Sequence, residues 1–261
     1  MIGSNPIRYR CPALLALGAI LALTVPAYAA APTGYPDSAY AGDPREMAMV
    51  PRYCVHTQVY RDVVPGGGHG DEIKRWTSVM GPTFNAMHHY CAGLILTNRA
   101  NFLSRTPADR QYYLNFSIVE FDYVIQRAPQ DFIVLPEILT KKGENLIRLG
   151  RAHLGIVELQ RAIDLKPDYW PPYAQMSDYY KGTGDILKAR EYLEKALSYS
   201  PDVKGLKTRL SELEAANAKR KTAPQSIEQS TKPRPAAPGR PAQETQPAMA
   251  QPEEPPAPAA Q

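Results

Sequence analysis

Two short segments hold most of the side chains that could do chemistry. RYCVHTQ places Cys54 two residues before His56, and MHHYCAG places His88 and His89 just ahead of Cys91. Three chemistries suit them. Two cysteines in an oxidising compartment form a disulfide, and closing a loop of this size stabilises a fold by about 3–4 kcal/mol in the chain-entropy view. Alternatively Cys54, His56, His88 and Cys91 ligate a metal ion, since His88 and Cys91, three apart, share one helical face. The third reading makes Cys91 a plain core residue in a helical stripe with Phe84, Met87 and Leu94. The spacing matches no zinc signature and no C-x-x-C-H offers a haem attachment, so the disulfide is expected and the metal set is its alternative.

His69 lies in a glycine-rich run, Gly66-Gly67-Gly68-His69-Gly70, ahead of a predicted helix at Asp71 to Val79. No Lys-Ser/Thr follows and no strand pattern precedes, so this reads as a surface loop and not a phosphate cradle. Neither H-E-x-x-H nor G-x-S-x-G occurs, and no pair of carboxylates stands out as an acid/base couple. Asn115-Phe116-Ser117 is a formal glycosylation sequon, but it falls inside a predicted helix. No catalytic residue and no cofactor are expected.

The elements that must position these groups repeat. Pro167 and Pro201 stand 34 residues apart, and aligning them pairs Gly150 with Gly184, Gly155 with Ala189, Leu159 with Leu193 and Ala162 with Ala196. One helix earlier, Leu139 pairs with Tyr173, Gly143 with Ser177 and Leu146 with Tyr180. Small residues let two helices approach closely and larger ones fill the space between them. Gly150 and Gly184 relax the turn, and each proline ends a unit.

A unit of helix, turn, helix and proline at this period resembles the tetratricopeptide repeat. Trp170 to Pro201 follows the family's framework closely, and Pro136 to Pro167 departs mainly at Lys142, where a large apolar residue is usual. The resemblance implies an all-α, right-handed helical-repeat solenoid that holds a protein or peptide segment on its concave face. Carried over by the repeat register, it places Glu137, Thr140, Glu144 and Arg148 of the first unit on that face. Ala174, Asp178 and Lys181 follow from the second unit, with Thr208 and Glu212 from the helix after it. Those acids outnumber the bases, so the groove is expected to lean negative and to take a segment with basic residues. The Lys/Arg and Asn set with which some members clamp a terminal carboxylate is missing.

Two such units cannot bury both their faces. Val203 to Ala218, with Leu206, Leu210 and Leu213, predicts a capping helix with a polar outer side. Phe84 to Arg99 and Ala108 to Arg127 predict a degenerate first hairpin, lengthened around Asn101 to Asp109. Gly93 and Leu96 stand there like Gly143 and Leu146. Tyr112, Phe116, Val119 and Tyr123 recur at helical spacing on its second helix, and Phe121, Val124 and Ile125 precede Pro129 as Leu159, Ala162 and Ile163 precede Pro167.

Both ends read differently. Arg8 and Arg10 precede an uncharged run from Ala13 to Val25, and Pro26 and Ala27-Tyr28-Ala29 follow. That is a secretory signal with cleavage before Ala30, and its apolar helix would rise only about 20 Å, too short to span a bilayer. Ten of the chain's 26 prolines fall between Pro224 and Pro258, in a stretch without aromatic residues, which predicts a disordered tail. The expected layout is a signal peptide at 1–29, an irregular arm with short helices at 30–82, the degenerate hairpin at 83–130 and repeats at 136–169 and 170–202. A cap at 203–219 and a tail at 222–261 complete it. Of 261 residues 44% are hydrophobic, enough for a core, while a net charge of +4 is too mild for nucleic-acid binding. The expectation is a non-enzymatic adaptor in the periplasm or outside the cell, with membrane contact only through partners. A metal- or redox-active envelope protein built on the Cys/His cluster is the alternative.

Overall fold

Prolines and glycines punctuate the chain much as the repeat register requires. The computed structural model describes residues 34–222, so the expected signal peptide and all but the first residue of the expected tail lie outside the described residues. Four short elements make the arm: α1 (Pro44–Met47), a 3-10 helix (Arg52–His56), α2 (Tyr60–Val63) and α3 (Gly70–Met80). A 3-10 helix (Gly81–Ala86) leads into α4 (Met87–Asn98), and a π turn (Arg99–Leu103) separates it from α5 (Pro107–Ile125). Then follow α6 (Leu135–Arg148), α7 (Ala152–Leu165), α8 (Pro171–Thr183), α9 (Ile186–Tyr199) and α10 (Lys204–Thr222). There is no strand among the described residues. The fold is all-α and of tetratricopeptide-repeat type.

Local chemistry sets the helix ends. Thr106 and Asp109 form a reciprocal capping box at the start of α5, and the Asp185 side chain accepts from the Lys188 amide at the start of α9. Pro107, Pro136 and Pro171 occupy the first two positions of their helices, where a missing N–H costs nothing. Gly150 and Gly184 close α6 and α8 at φ of 77° and 85°, a conformation that a side chain would strain.

Close approach explains the small residues. A Cβ on Gly143 would lie 2.8 Å from the Gly155 carbonyl oxygen and 2.9 Å from Leu159 Cγ, so α6 and α7 pack almost backbone to backbone. Between α8 and α9 the rings of Tyr180 and Tyr192 stack at 5.6 Å, and Ala189 and Ala196 of α9 are fully buried. Gly93 on α4 faces the Phe121 ring of α5 with no room for a Cβ. Near the start of α4 the His89 ring stacks on Tyr123 near the end of α5, and near the end of α4 Thr97 shares its partner Asn145 with Ser117, earlier on α5. That order of pairs makes α4 and α5 antiparallel.

Two apolar clusters result. One runs from Ala39 and Met47 in the arm through α4, α5 and α6, and the other from Leu159 through α8 and α9 to Leu206 and Leu213 of α10. Helix α7 serves both, giving Ala162 to the first and Leu159 and Ile163 to the second.

Lys142, the departure from the repeat framework, has a structural use. Its ammonium reaches Asp122 on α5 at 2.7 Å and Glu158 on α7 at 2.6 Å. Burial alone would lower its pKa, but the hydrogen bonds to the two carboxylates outweigh that and raise it. Beside it, the buried Asn145 amide donates to Thr97 and Ser117, tying α6 to both preceding helices.

The arm is held by a buried ion pair. Arg99 and Glu46 are each 1% exposed, and the guanidinium donates to both carboxylate oxygens, at 2.6 and 2.8 Å. It also donates to the backbone carbonyls of Asp37 and Ser38. Tyr60 adds a hydrogen bond to the Ala39 carbonyl.

Helix α5 carries apolar residues on two faces. Phe116, Val119 and Tyr123 are exposed by 43%, 63% and 36%, while Tyr113, Leu114, Ser117, Phe121 and Val124 face the core. The helical period holds, but the packing partners α4 and α6 select the adjacent face. The cap also differs slightly, running to Thr222 instead of ending at 219.

Candidate functional site

The repeat register sends the first helix of each unit toward one shared face. There a cleft of about 330 Å³ opens between α6 and α8. From α6 come Glu137, Thr140, Lys141 and Glu144, and from α8 come Pro171, Ala174 and Gln175. Tyr169 and Trp170, at the entry to α8, supply an aromatic wall, and Arg209 of α10 closes the end.

Each charged group of the lining has a partner. Glu137 accepts a hydrogen bond from the fully buried Tyr90 hydroxyl at 2.6 Å, which fixes the carboxylate at the cleft wall. Glu144 lies between Lys141, at 3.6 Å, and Arg148, which also donates to Asn101 at 2.6 Å. Asp178 meets Arg209 at 3.3 Å. Thr140 donates to the Pro136 carbonyl, so it offers the cleft little beyond its methyl group. Burial first, and the nearby Glu137 second, raise the Tyr169 pKa, keeping the ring a neutral, hydrogen-bonding wall.

Of the residues placed on this face by sequence, Glu137, Thr140, Glu144 and Ala174 line the cleft. Arg148, Asp178, Lys181, Thr208 and Glu212 do not. Arg148 and Asp178 act through their ion pairs with lining residues, whereas Lys181 and Glu212 are exposed. The expected negative lean is also corrected. Lys141 and Arg209 sit among the lining residues beside Glu137 and Glu144, so the cleft is balanced in charge. The cap was misjudged by one residue: Arg209 faces the cleft where the register pointed to Thr208, a rotation of about 100° on a helix. The aromatic wall was visible only as the run Tyr169-Trp170-Pro171-Pro172 at the repeat junction.

The Cys/His segments form a different object. Cys54 and Cys91 are bonded to each other, with Cα atoms 5.7 Å apart, and both are fully buried. The bond pins the Arg52–His56 turn of the arm onto α4. The alternative metal set of Cys54, His56, His88 and Cys91 is not assembled, because both sulfurs are committed to one another. His56 Nδ1 lies 2.8 Å from the Gly67 carbonyl and His88 Nδ1 2.9 Å from that of Asn85. Among the described residues no three His, Cys, Asp or Glu side chains are grouped to hold an ion. Full burial also keeps other thiols away from the sulfurs, which suits a structural bond over an exchanging one.

The glycine loop is tighter than its composition suggested. A Cβ on Gly67 would lie 2.6 Å from both the Val55 carbonyl oxygen and Arg61 Cα, so the loop packs onto the arm instead of hanging free. The sequon lies within α5: Asn115 donates to the Gln111 carbonyl, and Ser117 is fully enclosed. No described helix is long and apolar enough to cross a membrane.

A family model agrees with the repeat reading over part of the chain. The tetratricopeptide repeat family model matches residues 171–203, the stretch containing α8 and α9. Among solved structures the chain is similar to the first TPR of Spaghetti (RPAP3) bound to the HSP90 peptide SRMEEVD. That similarity is at 17% identity, with a TM-score of 0.37, over 48% of this chain and 95% of that one. No curated protein matches the chain.

Proposed function

We propose that this tetratricopeptide-repeat protein is an exported, non-enzymatic adaptor that holds a protein or peptide segment along the face shared by α6, α8 and α10. The observation that carries this reading is the cleft between the first helices of successive repeats, with Tyr169, Trp170 and Pro171 as an apolar wall and charged groups of both signs along it. Such a surface suits an extended segment with one apolar anchor and flanking polar residues, its backbone held by Gln175 and the ordered ion pairs. Balanced charge favours recognition by shape and hydrogen bonding over long-range steering. In this reading α4 and α5 are a degenerate first repeat: Gly93 against Phe121 repeats Gly143 against Leu159, with the loop between them longer.

Gln175→Arg tests the binding surface, since it fills the cleft from an outward position and removes no ion pair. Co-purification with the wild-type chain should recover a partner that the variant recovers at least tenfold less, with equal melting temperatures. Equal recovery by both proteins would move binding off this face.

Export rests on the Arg8, Arg10, Ala13–Val25 and Ala27-Tyr28-Ala29 features together with a bonded, buried cysteine pair, which fits an oxidising compartment. N-terminal sequencing of the protein recovered from cells should begin at Ala30. A chain that still begins at Met1 would count against export by cleavage.

A further inference from the structure

A second concavity, of about 380 Å³, lies where the arm, α4 and the end of α5 meet, a size in the range of ligand pockets. Pro82, Pro129 and the Tyr123 ring give it apolar walls, Arg127 gives it charge and His88 a titratable ring, with Gln58 reaching in from the arm. Among the described residues that line it none is acidic. The nearest carboxylate to the histidines, Glu120, is already engaged by His89 Nδ1 at 2.6 Å and the Tyr40 hydroxyl at 2.5 Å.

Arg127 and His88 are both held in place by neutral partners. The Arg127 guanidinium lies 3.6 Å from the centroid of the Tyr123 ring, and one N–H donates to the Tyr123 carbonyl. A flat, fixed guanidinium with four further N–H groups is well formed for a carboxylate. His88 has Nδ1 directed at the Asn85 carbonyl, which leaves Nε2 to accept when neutral and to donate when protonated. Burial first, and His89 at 4.3 Å between ring centres, hold the His88 pKa below its usual value.

We propose that this pocket binds a carboxylate-bearing peptide segment, its acidic side chain on Arg127 and His88 and an apolar neighbour against Tyr123, Pro82 and Pro129. The site is distinct from the cleft between α6 and α8, and it would let one chain hold a partner at two points. The groups facing His88 are His89 on its own helix, Glu120 and Tyr123 on α5, Arg127 just past its end, and Tyr40 of the arm. Of these Glu120 is the acid, and it is turned to His89 and Tyr40. An incoming carboxylate therefore favours the imidazolium of His88, and binding takes up a proton there. Affinity should rise as pH falls from about 8 to about 6, a range in which peptide carboxylates near pKa 4 stay ionised.

Two probe peptides test this on the full chain: acetyl-Asp-Phe-Asp-Phe-amide and acetyl-Lys-Phe-Lys-Phe-amide, titrated while the His88 imidazole signal is followed by NMR. The acidic peptide should shift that signal, bind about tenfold more weakly to Arg127→Gln, and bind more tightly at the lower pH. Arg127 is exposed just past the end of α5, so the variant should melt with the wild type. Gln175→Arg should bind the acidic peptide unchanged, which separates this site from the cleft. Equal shifts from both peptides, no shift at millimolar concentration, or unchanged affinity in Arg127→Gln would overturn the proposal.

Discussion

Replacing Arg99 or Glu46 singly with alanine is expected to cost about 3–5 kcal/mol, the range for stranding one member of a buried ion pair. Each side chain is 1% exposed, so the survivor has no water to turn to. Arg99→Ala has a further consequence, since the Asp37 and Ser38 carbonyls lose their donor and the arm loses its attachment to the helical body. The pair Arg190–Glu194, with both side chains about half exposed, provides the contrast: its loss should leave the unfolding midpoint nearly where it was. Denaturant unfolding of the variants decides the matter. A loss below about 1 kcal/mol for Glu46→Ala would mean that water reaches the pair. The double variant Glu46→Leu with Arg99→Met should recover much of the single-variant loss, because two apolar side chains leave no orphan charge.

The second large effect belongs to the disulfide. Cys54 and Cys91 are separated by 37 residues, and removing both as Cys→Ala should cost about 4 kcal/mol, chiefly by freeing the unfolded chain. For a domain of this size that is roughly a 10 °C fall in melting temperature. The fall should track with the arm, so protease cleavage between Pro51 and Pro82 should speed up before the α6–α9 hairpins are touched. A thiol assay on unfolded protein beginning at Ala30 should count zero without reductant and two after it. Two thiols without reductant would dissolve both the bond and this prediction.

The two effects mark where sequence reading succeeds and where it stops. Local repetition is legible because close helix crossings demand small residues at fixed spacing. Gly143, Gly155, Ala162, Ala189 and Ala196 all sit where the register needs them, and Gly150 and Gly184 take the left-handed turn. A lone lysine in a core position reads as a defect, and only the three-dimensional meeting of Asp122, Lys142 and Glu158 explains it. Arg99 and Glu46 lie 53 residues apart with no periodic relation, so nothing in the chain announces their pairing. Helix α5 carries apolar residues on two faces, and its period alone could not say which one α4 and α6 would cover. The cleft followed the same pattern. Its α6 side was readable from the repeat, but its charge balance came from Lys141 and from Arg209 on a cap rotated by one residue.

The central claim is that a partner lies along the face shared by α6, α8 and α10. A photoreactive amino acid placed at Gln175, in the cleft wall, tests it against the same residue placed at Leu187, which is 82% exposed on α9 and away from the cleft. Illumination in cells that make the protein should yield a discrete cross-linked partner from position 175 and none from position 187. Cross-links from 187 alone, or the same products in equal yield from both positions, would contradict the account.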